Sequence, residues 1–233
     1  MHIVITRPVE DSLKIITDLK LSGHMLTHLP VIKVEKLQMK KINFKNYDSV
    51  IFTSANAIKF LNIEKFNDNI KCFCVGNFTE GVAKKAGFFN TYSSEGSVAS
   101  LKELIVRTIE SKSEKILYLS SEFISKNLDK DLIQEGYIVE RISNYTTLPV
   151  REINEKTLSF LRKNPIDAIF IYSSKSAKNL LDLINKYSLL NIVTQCNLMC
   201  ISEKVSLILK QIKWKKTIIF NPGEEVFFLN KIN

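Results

Sequence analysis

Hydroxyl and amide side chains follow a strand-like run near the start of this sequence. The stretch Asp48 to Leu61 reads DSVIFTSANAIKFL, and its apolar residues Val50 to Phe52 predict a buried, parallel-type strand. The polar corner Thr53 to Asn56 comes next, and apolar residues then recur at helical spacing. Free N–H groups and the helix dipole favour anions at such a strand-to-helix corner. The pattern therefore predicts an anion-binding corner that contains Ser54 and Asn56.

The same pattern occurs again later in the chain. Asp167 to Leu180 reads DAIFIYSSKSAKNL, and its acid stands six residues before Ser173, as Asp48 stands six residues before Ser54. Self-similarity over a whole set of strands and helices indicates a duplicated half-domain and not a short repeat. The sequence thus predicts two similar lobes.

Further pairs of segments extend this duplication. The turn that begins at Gly76 is matched by the turn at Ser202, since Cys-Val-Gly in the first copy becomes Cys-Ile-Ser in the second. The strand Ile116 to Leu119 repeats the opening strand Ile3 to Ile5, but Ser120 stands where the opening unit has Arg7. The two copies are therefore predicted to share a fold and to differ at their corners.

Composition and charge limit the class of protein. The 233 residues are 45% hydrophobic and 24% charged, which is ordinary for a globular domain. No apolar run approaches the roughly 18 residues of a membrane span, and the chain enters a predicted strand at once without a leader pattern. We therefore expect a cytoplasmic protein without a membrane partner.

The net charge of +9 has two interpretations. It suits an anionic partner, and it also follows from a lysine-rich composition that coats helix faces. A basic arm or a basic patch interleaved with aromatic residues is missing, which argues against a nucleic-acid partner. The net charge therefore does not decide between an anionic partner and a lysine-rich surface.

Cysteine and histidine spacing does not favour a metal site. The four cysteines occur as C-x-C and C-x₃-C inside apolar runs, whereas zinc sites usually use C-x₂-C in loops. Buried free thiols are the expected state. His24 and His28 form one pair without a third ligand. We therefore predict no metal.

Strand and helix patterns alternate along the whole chain, which predicts parallel sheets covered by helices on both faces. The expected architecture is α/β, with two flavodoxin-like parallel-sheet domains and an active-site cleft between them. Residues 35–43 and 144–151 are polar or extended connectors that can pair as a two-stranded ribbon between the lobes. The pattern also predicts strands at 25–34 and 88–92, a helix at 152–163 and a last helix that begins at Pro222.

Five short motifs occur in order along the chain. They are I-T-R-P from Ile5, I-F-T-S-A-N-A from Ile51, V-G-N-x-T from Val75, N-Y-T-T around Tyr145 and I-Y-S-S-K-S-A from Ile171. This ordered set resembles the uroporphyrinogen-III synthase family. The resemblance implies an enzyme of tetrapyrrole and heme biosynthesis, a lyase that needs no cofactor and acts as a monomer. Such an enzyme closes linear hydroxymethylbilane to the macrocycle with inversion of its last pyrrole ring and loss of water.

The resemblance also implies a division of the chain. One domain is expected to combine residues 1–34 with 152–233, and the other to contain residues 44–143. The repeat pattern by itself also allows two consecutive halves, so the interleaved arrangement comes from the resemblance.

Site residues follow from the same resemblance. Tyr145 matches the connector tyrosine of the family and would donate the proton that releases the hydroxyl group, since a tyrosine with an ordinary pKa of about 10 is protonated at neutral pH. The alternative is a tyrosine that only closes the ribbon against a lobe. The carboxylates of the substrate would be bound by Arg7, Ser54, Asn56, Gly76, Thr79, Ser173 and Lys204. Helix capping is the alternative role for the hydroxyl residues.

One corner departs from the family pattern. Residues 202–205 read Ser-Glu-Lys-Val, where the family usually has a glycine and a threonine. Glu203 would repel a carboxylate, and Lys204 would compensate as a point charge. This change motivates an alternative function, a two-lobed tetrapyrrole-binding or regulatory module that has lost its chemistry. A nucleotide or sugar-phosphate binder ranks last because neither G-x-G-x-x-G nor G-x-x-x-x-G-K-[ST] occurs.

Overall fold

The computed structural model describes residues 1–61, 69–221 and 223–229. The chain divides into two compact units, Met1–Lys33 with Leu148–Asn233 and Val34–Thr147. Pro222, the predicted start of the last helix, lies outside the described residues. Within the described part of the chain, no helix combines the length and apolar character needed to cross a membrane.

Strands and helices alternate as the sequence predicts. In chain order they are β1 (His2–Ile5), α1 (Val9–Leu21), β2 (Met25–His28), β3 (Ile32–Lys36), a 3-10 turn (Phe44–Asn46), β4 (Ser49–Phe52), α2 (Ala55–Lys59), β5 (Lys71–Val75), α3 (Gly76–Lys85), β6 (Thr91–Ser94), α4 (Val98–Thr108), β7 (Lys115–Ser121), α5 (Leu128–Gln134), β8 (Ile138–Pro149), α6 (Glu155–Lys163), β9 (Ala168–Ile171), α7 (Ser174–Lys186), α8 (Leu190–Val193), β10 (Asn197–Cys200), α9 (Glu203–Ile208), β11 (Lys216–Ile219) and α10 (Glu225–Leu229).

The first unit is built on a parallel sheet with the strand order β11-β10-β9-β1-β2. Its central strands β1 and β9 are buried along their whole length, as continuous apolar runs predict for strands with helices on both faces. One apolar core contains Val4 and Ile169, and a second contains Ile3 and Phe170. Neighbouring residues of a strand point to opposite faces, so the two cores lie on the two sides of this sheet.

The second unit is built on a sheet with the order β3-β8-β7-β4-β5-β6. The strands from β8 to β6 are parallel to their neighbours. Two apolar cores again cover the two faces, one containing Val50 and Phe52 and the other containing Ile51 and Phe73. The second unit therefore repeats the layered construction of the first.

The duplicated segments occupy equivalent places in the two sheets. The sequence repeat equates β4 with β9, β5 with β10 and β7 with β1. With these equivalences, the spatial order β8-β7-β4-β5-β6 in the second sheet matches the spatial order β2-β1-β9-β10-β11 in the first. Along the chain, the equivalent strands follow one another in a circularly shifted order. If the five strands of the first unit are numbered 1 to 5 in chain order, their spatial order is 2-1-3-4-5, the flavodoxin-like order. The prediction of a duplicated, flavodoxin-like α/β fold is confirmed.

Each such sheet has one switch point, where the connections run off in opposite directions and ligands usually bind. In the first unit the switch point lies between β1 and β9, and in the second unit it lies between β7 and β4. We call these the first and the second switch point. They are the two places in the fold where a site is expected.

Three predicted boundaries differ from the structure. The strand expected at 25–34 is two strands, because Pro30 has no N–H to continue a ladder and lies in the break between them. The strand expected at 88–92 begins at Thr91, since Phe88 packs in the core against Phe52 with ring centroids 5.4 Å apart. The helix expected from residue 152 begins at 155, where Asn154 Oδ1 accepts a hydrogen bond from Thr157 N at 2.8 Å.

Strands extend into both segments expected to be connectors, only to residue 36 in 35–43 but to residue 149 in 144–151. β3 runs to Lys36, β8 runs to Pro149, and the two are neighbours at the edge of the second sheet. Leu37 N continues this edge by donating to Asn144 O at 3.0 Å. The chain passes between its two units within these strands, at residues 33/34 and 147/148.

Candidate functional site

A cavity of about 180 Å³ lies at the second switch point. It is lined from three neighbouring strands and their turns, by Thr53 and Ser54 after β4, by Tyr118 and Ser121 from β7 with Lys126 beyond it, and by Tyr145 from β8. Ser54 and Tyr145, predicted as a binding and a catalytic residue, are therefore brought to the same cavity.

Ser54 caps helix α2 at this cavity. Its hydroxyl oxygen accepts a hydrogen bond from Asn56 N at 3.2 Å, which is the capping role that the sequence left open. A serine hydroxyl that accepts a bond still has its own proton to donate. Capping therefore fixes the Ser54 oxygen at the cavity and leaves a donor for an anionic ligand.

Tyr145 is held in β8 beside Ser121, its register partner on β7. Only 6% of Tyr145 is exposed, and its backbone carbonyl accepts a hydrogen bond from Glu122 N at 2.9 Å. The preceding residue, Asn144, donates from Nδ2 to Ala57 O in helix α2 at 2.6 Å. Because that bond ties β8 to α2, the strand of Tyr145 and the helix capped by Ser54 are fixed to each other.

Sequence reasoning missed several hydroxyl groups of this cavity. Thr53 Oγ1 and Tyr118 Oη lie 3.2 Å apart, and burial raises the pKa of Tyr118. The Ser121 hydroxyl is buried and has no hydrogen-bond partner among the residues that the structure describes. A buried polar group without a partner needs an explanation, and a ligand in the cavity provides one. The polar pair Ser120-Ser121 at the end of an apolar strand is the signal that indicates this corner.

The remaining predicted residues of the second unit lie outside the set that lines this cavity. Asn56 is the second residue of α2, and its N–H is used by the Ser54 cap. Gly76 begins α3 with a φ of +75°, a backbone conformation that favours glycine, and a Cβ there would lie 3.8 Å from Gly96 Cα. Thr79 is buried within α3. These residues belong to the turn after β5 and its helix.

The first switch point is occupied by aromatic side chains. The Arg7 guanidinium carbon lies 4.7 Å from the centre of the Tyr172 ring, a cation–π contact. The rings of Tyr172 and Phe220 meet edge to face at 5.5 Å, and Phe170 packs against both. Burial and then the negative charge of Glu225 raise the pKa of Tyr172, which is therefore neutral at physiological pH.

Ser173 and Lys204 follow the next two strands of the first unit. Ser173 caps α7, with its Oγ accepting from Ser176 N at 3.0 Å. Lys204 is exposed in the first turn of α9, where Ser202 is the capping residue and Glu203 is also exposed. Arg7, Ser173 and Lys204 therefore lie in consecutive corners after β1, β9 and β10.

The predicted residues thus divide between the units. Three of them lie at the carboxyl edge of the first sheet, and five belong to the second unit, where two meet at the cavity. The first group is Arg7, Ser173 and Lys204, and the second is Ser54, Asn56, Gly76, Thr79 and Tyr145.

The cysteines are all buried and free. Sγ of Cys72 and Sγ of Cys74 are 3.8 Å apart on one face of β5. Burial raises the pKa of Cys196 to about 12, so this thiol is protonated at neutral pH and a poor nucleophile. Among the described residues no group of three His, Cys, Asp or Glu side chains is placed to hold a metal ion. His28 Nε2 instead donates to Arg7 O at 2.8 Å.

Comparisons with solved structures show which fold this is. The structure is similar to uroporphyrinogen-III synthetase from Helicobacter pylori, with 15% identity, a TM-score of 0.65, and coverage of 100% of this chain and 99% of that chain. It is also similar to a mutant uroporphyrinogen III synthase from Thermus thermophilus, with 14% identity, a TM-score of 0.56, and coverage of 100% and 98%. These likenesses show a shared fold at low sequence identity.

Sequence comparison gives the family. A search among curated proteins finds no match. The family described as uroporphyrinogen-III synthase HemD, however, matches residues 14–221, which is most of the 233 residues and includes both units. The chain therefore belongs to the uroporphyrinogen-III synthase family, the lyases that cyclise hydroxymethylbilane.

Proposed function

We propose that this chain is a working uroporphyrinogen-III synthase that uses Tyr145 as its acid at the second switch point. It closes hydroxymethylbilane to uroporphyrinogen III, with inversion of ring D and loss of water. The observation that carries the proposal is that Tyr145 and Ser54 line one cavity in a chain that matches this family over residues 14–221. That Tyr145, which matches the connector tyrosine of the family, lines the same cavity as the Ser54 hydroxyl supports these two roles.

The chemistry needs a proton donor at the start. Tyr145 gives its phenolic proton to the terminal hydroxyl oxygen, the carbon–oxygen bond breaks, and water leaves. The substituted position of ring D then attacks the freed terminal carbon and gives a spiro intermediate. The bond from that position to the neighbouring methylene breaks, and the methylene bonds instead to the free α-position of ring D, which inverts the ring. The proton that the α-position loses returns to the Tyr145 phenolate. Because Tyr145 is only 6% exposed, bulk water has little access to its side chain.

Most of the catalytic effect comes from positioning. Hydroxymethylbilane is a flexible chain with many carboxylates, and it closes spontaneously to the uninverted type I isomer. Holding the reacting ends together removes the alternatives and lowers the entropic part of the barrier. Selectivity is therefore as much the task of this protein as rate.

Hydroxyl donors and cations bind the carboxylates in this proposal. At the second switch point Ser54, Tyr118 and Ser121 line the cavity as hydroxyl donors, and Lys126 adds a positive charge at its exposed side. Further carboxylate contacts are assigned to the corner residues Arg7, Ser173 and Lys204 of the first unit and to Asn56, Gly76 and Thr79 of the second. Arg7, Ser54 and Ser173 each lie two residues after a strand end, where backbone N–H groups also face a ligand.

The division of the chain, its assembly and its location are part of the same proposal. We propose that the two compact units are two domains, one interleaved from both chain ends, and that the connector segments 35–43 and 144–151 lie next to or across the two crossings at 33/34 and 147/148. The protein would act as a cytoplasmic monomer on a small tetrapyrrole precursor, without a cofactor, a metal or a nucleic-acid partner.

A product assay tests this function. Hydroxymethylbilane is generated in situ, the purified chain is added, and the products are oxidised and separated by chromatography. A reaction without the chain measures the spontaneous type I isomer. We expect predominantly type III with the chain present. Type I alone from a folded protein would overturn the proposal and would leave a tetrapyrrole-binding module in its place.

A further inference from the structure

Arg141 occupies an unusual place for an arginine, inside strand β8 next to the second switch point. Its side chain is half-buried and makes several hydrogen bonds to one turn. Nε donates to Ser120 Oγ at 2.8 Å, and Nη2 donates to the carbonyl oxygens of Ser121 at 2.8 Å and Glu122 at 3.0 Å. One guanidinium therefore holds three consecutive residues where β7 ends and its turn begins, Ser120 to Glu122.

That turn forms one wall of the cavity. Ser121 lines the cavity, and its hydroxyl has no partner among the described residues. Arg141 binds the carbonyl oxygen of Ser121 and not its hydroxyl. Because Arg141 binds the backbone carbonyl of Ser121, the Ser121 hydroxyl keeps its proton to donate to a ligand.

The first unit holds its equivalent turn differently. There the neighbouring strand β2 supplies His28, whose Nε2 donates to Arg7 O at 2.8 Å, and Arg7 itself supplies the cation. In the second unit Ser120 stands in place of Arg7, and the neighbouring strand β8 supplies Arg141. One residue thus takes over both the anchoring of the turn and the positive charge.

The charge of Arg141 acts on the cavity as well. It opposes the rise that burial causes in the pKa of Tyr118, whose ring lines the cavity. A cation behind a site that binds carboxylates strengthens binding without contacting the ligand. Arg141 itself is not among the residues that line the cavity.

We infer that Arg141 is a positioning residue for the proposed reaction: its guanidinium fixes the turn Ser120 to Glu122 so that Ser121 faces the substrate at the second switch point. The inference rests on the proposed function and adds to it a residue that does not contact the substrate.

Removal and rescue of the guanidinium test the inference. In Arg141→Ala we expect kcat/KM for hydroxymethylbilane to fall about 10- to 100-fold, mostly through KM, as for a misplaced binding group. Guanidinium ion at low millimolar concentration should restore part of kcat/KM in this variant only. Arg162→Ala is the matched control, since Arg162 also donates to a backbone carbonyl, Tyr187 O at 3.3 Å, but lies in the first unit.

Arg141→Lys gives a second variant if the alanine protein does not fold. A lysine keeps the charge but has no planar fork to serve several acceptors at once, so we expect an intermediate kcat/KM. Wild-type kinetics in either folded variant would overturn the inference. So would a loss in Arg141→Ala that guanidinium does not restore, because the arginine would then support only the fold.

A binding measurement separates this inference from the proposed function. If the wild-type chain yields only type I product, the proposed function fails first. The dissociation constant of uroporphyrin III, followed by the fluorescence of the porphyrin, then decides the role of Arg141. Weaker binding in Arg141→Ala with rescue by guanidinium supports the inference, and equal binding or no binding by either protein overturns it.

Discussion

The two switch points of this protein occupy the same position in two copies of one fold, but they are filled in opposite ways. In the first, Tyr172 and Phe220 pack edge to face and Arg7 lies on the Tyr172 ring. In the second, the residue equivalent to Tyr172 is Thr53, and a cavity of about 180 Å³ is present. The side chain before the capping serine and the residue at the Arg7 position, which is Ser120 in the second copy, both differ between the two environments.

The capping serines themselves are the same in both copies. Ser54 and Ser173 each accept a hydrogen bond from the helix that they begin. The comparison therefore indicates that duplication preserved the helix caps at both corners and that changes next to one of them left a cavity in the second unit. A hydroxyl at a helix start stabilises the helix, and the space around it makes it available to a ligand.

Removing the proposed acid should have the largest effect. In Tyr145→Phe we expect kcat to fall about 10²- to 10⁴-fold, the usual contribution of a general acid. The ring remains, so the melting temperature should change little. Tyr92→Phe is the control, because Tyr92 stacks on Phe73 at 5.1 Å in the same sheet away from the cavity. Near wild-type turnover in Tyr145→Phe would contradict the role of the tyrosine as an acid.

Making the second switch point resemble the first should have the next largest effect. Thr53→Tyr places a ring where the first copy has Tyr172, and we expect it to obstruct the cavity and lower kcat/KM about 100-fold, as for a displaced substrate. Thr53→Val keeps the volume and removes only the contact with Tyr118, so its loss should be several-fold at most. The measurement is steady-state kinetics on the folded variants. Full activity in Thr53→Tyr would contradict the comparison between the two switch points.

Replacing two capping serines of the second unit distinguishes an effect on stability from an effect on substrate binding. Ser54→Ala and Ser97→Ala each remove a helix cap, since Ser97 Oγ accepts from Ser100 N at 3.0 Å. Each should lower the free energy of unfolding by about 1 kcal/mol. Only Ser54 lines the cavity, so only Ser54→Ala should also raise KM, by several-fold. Equal KM values in the two variants would show that Ser54 is a cap alone.

Much of the fold is predictable because buried parallel strands are continuous apolar runs. The predictions of β4 and β9 are correct for that reason, and the similarity between their two sequences indicates the duplication. The edge strand β6 was misplaced because its sequence, Thr-Tyr-Ser-Ser, carries no such run. The circular shift between the two units is a property of strand order, which local pattern does not encode.

The candidate site was predictable only in part. Corner residues such as Ser54 are predictable from the boundary between a strand pattern and a helix pattern. Tyr145 is predictable only from the resemblance to the family. Ser121 and Arg141 are 20 residues apart on consecutive strands, and they meet through the register of β7 with β8, which the sequence pattern alone does not specify. Their roles depend on which carbonyl, hydroxyl or cavity they face.

The most direct test of the account is to map where a tetrapyrrole binds. Uroporphyrin III is titrated into the ¹⁵N-labelled chain, and the backbone amide shifts are followed residue by residue. We predict saturable shifts at residues 53–54, 121–126 and 145, the walls of the second switch point, and smaller ones in Arg141→Ala. Saturable binding that leaves these amides unchanged would contradict the claim that the second switch point is the site.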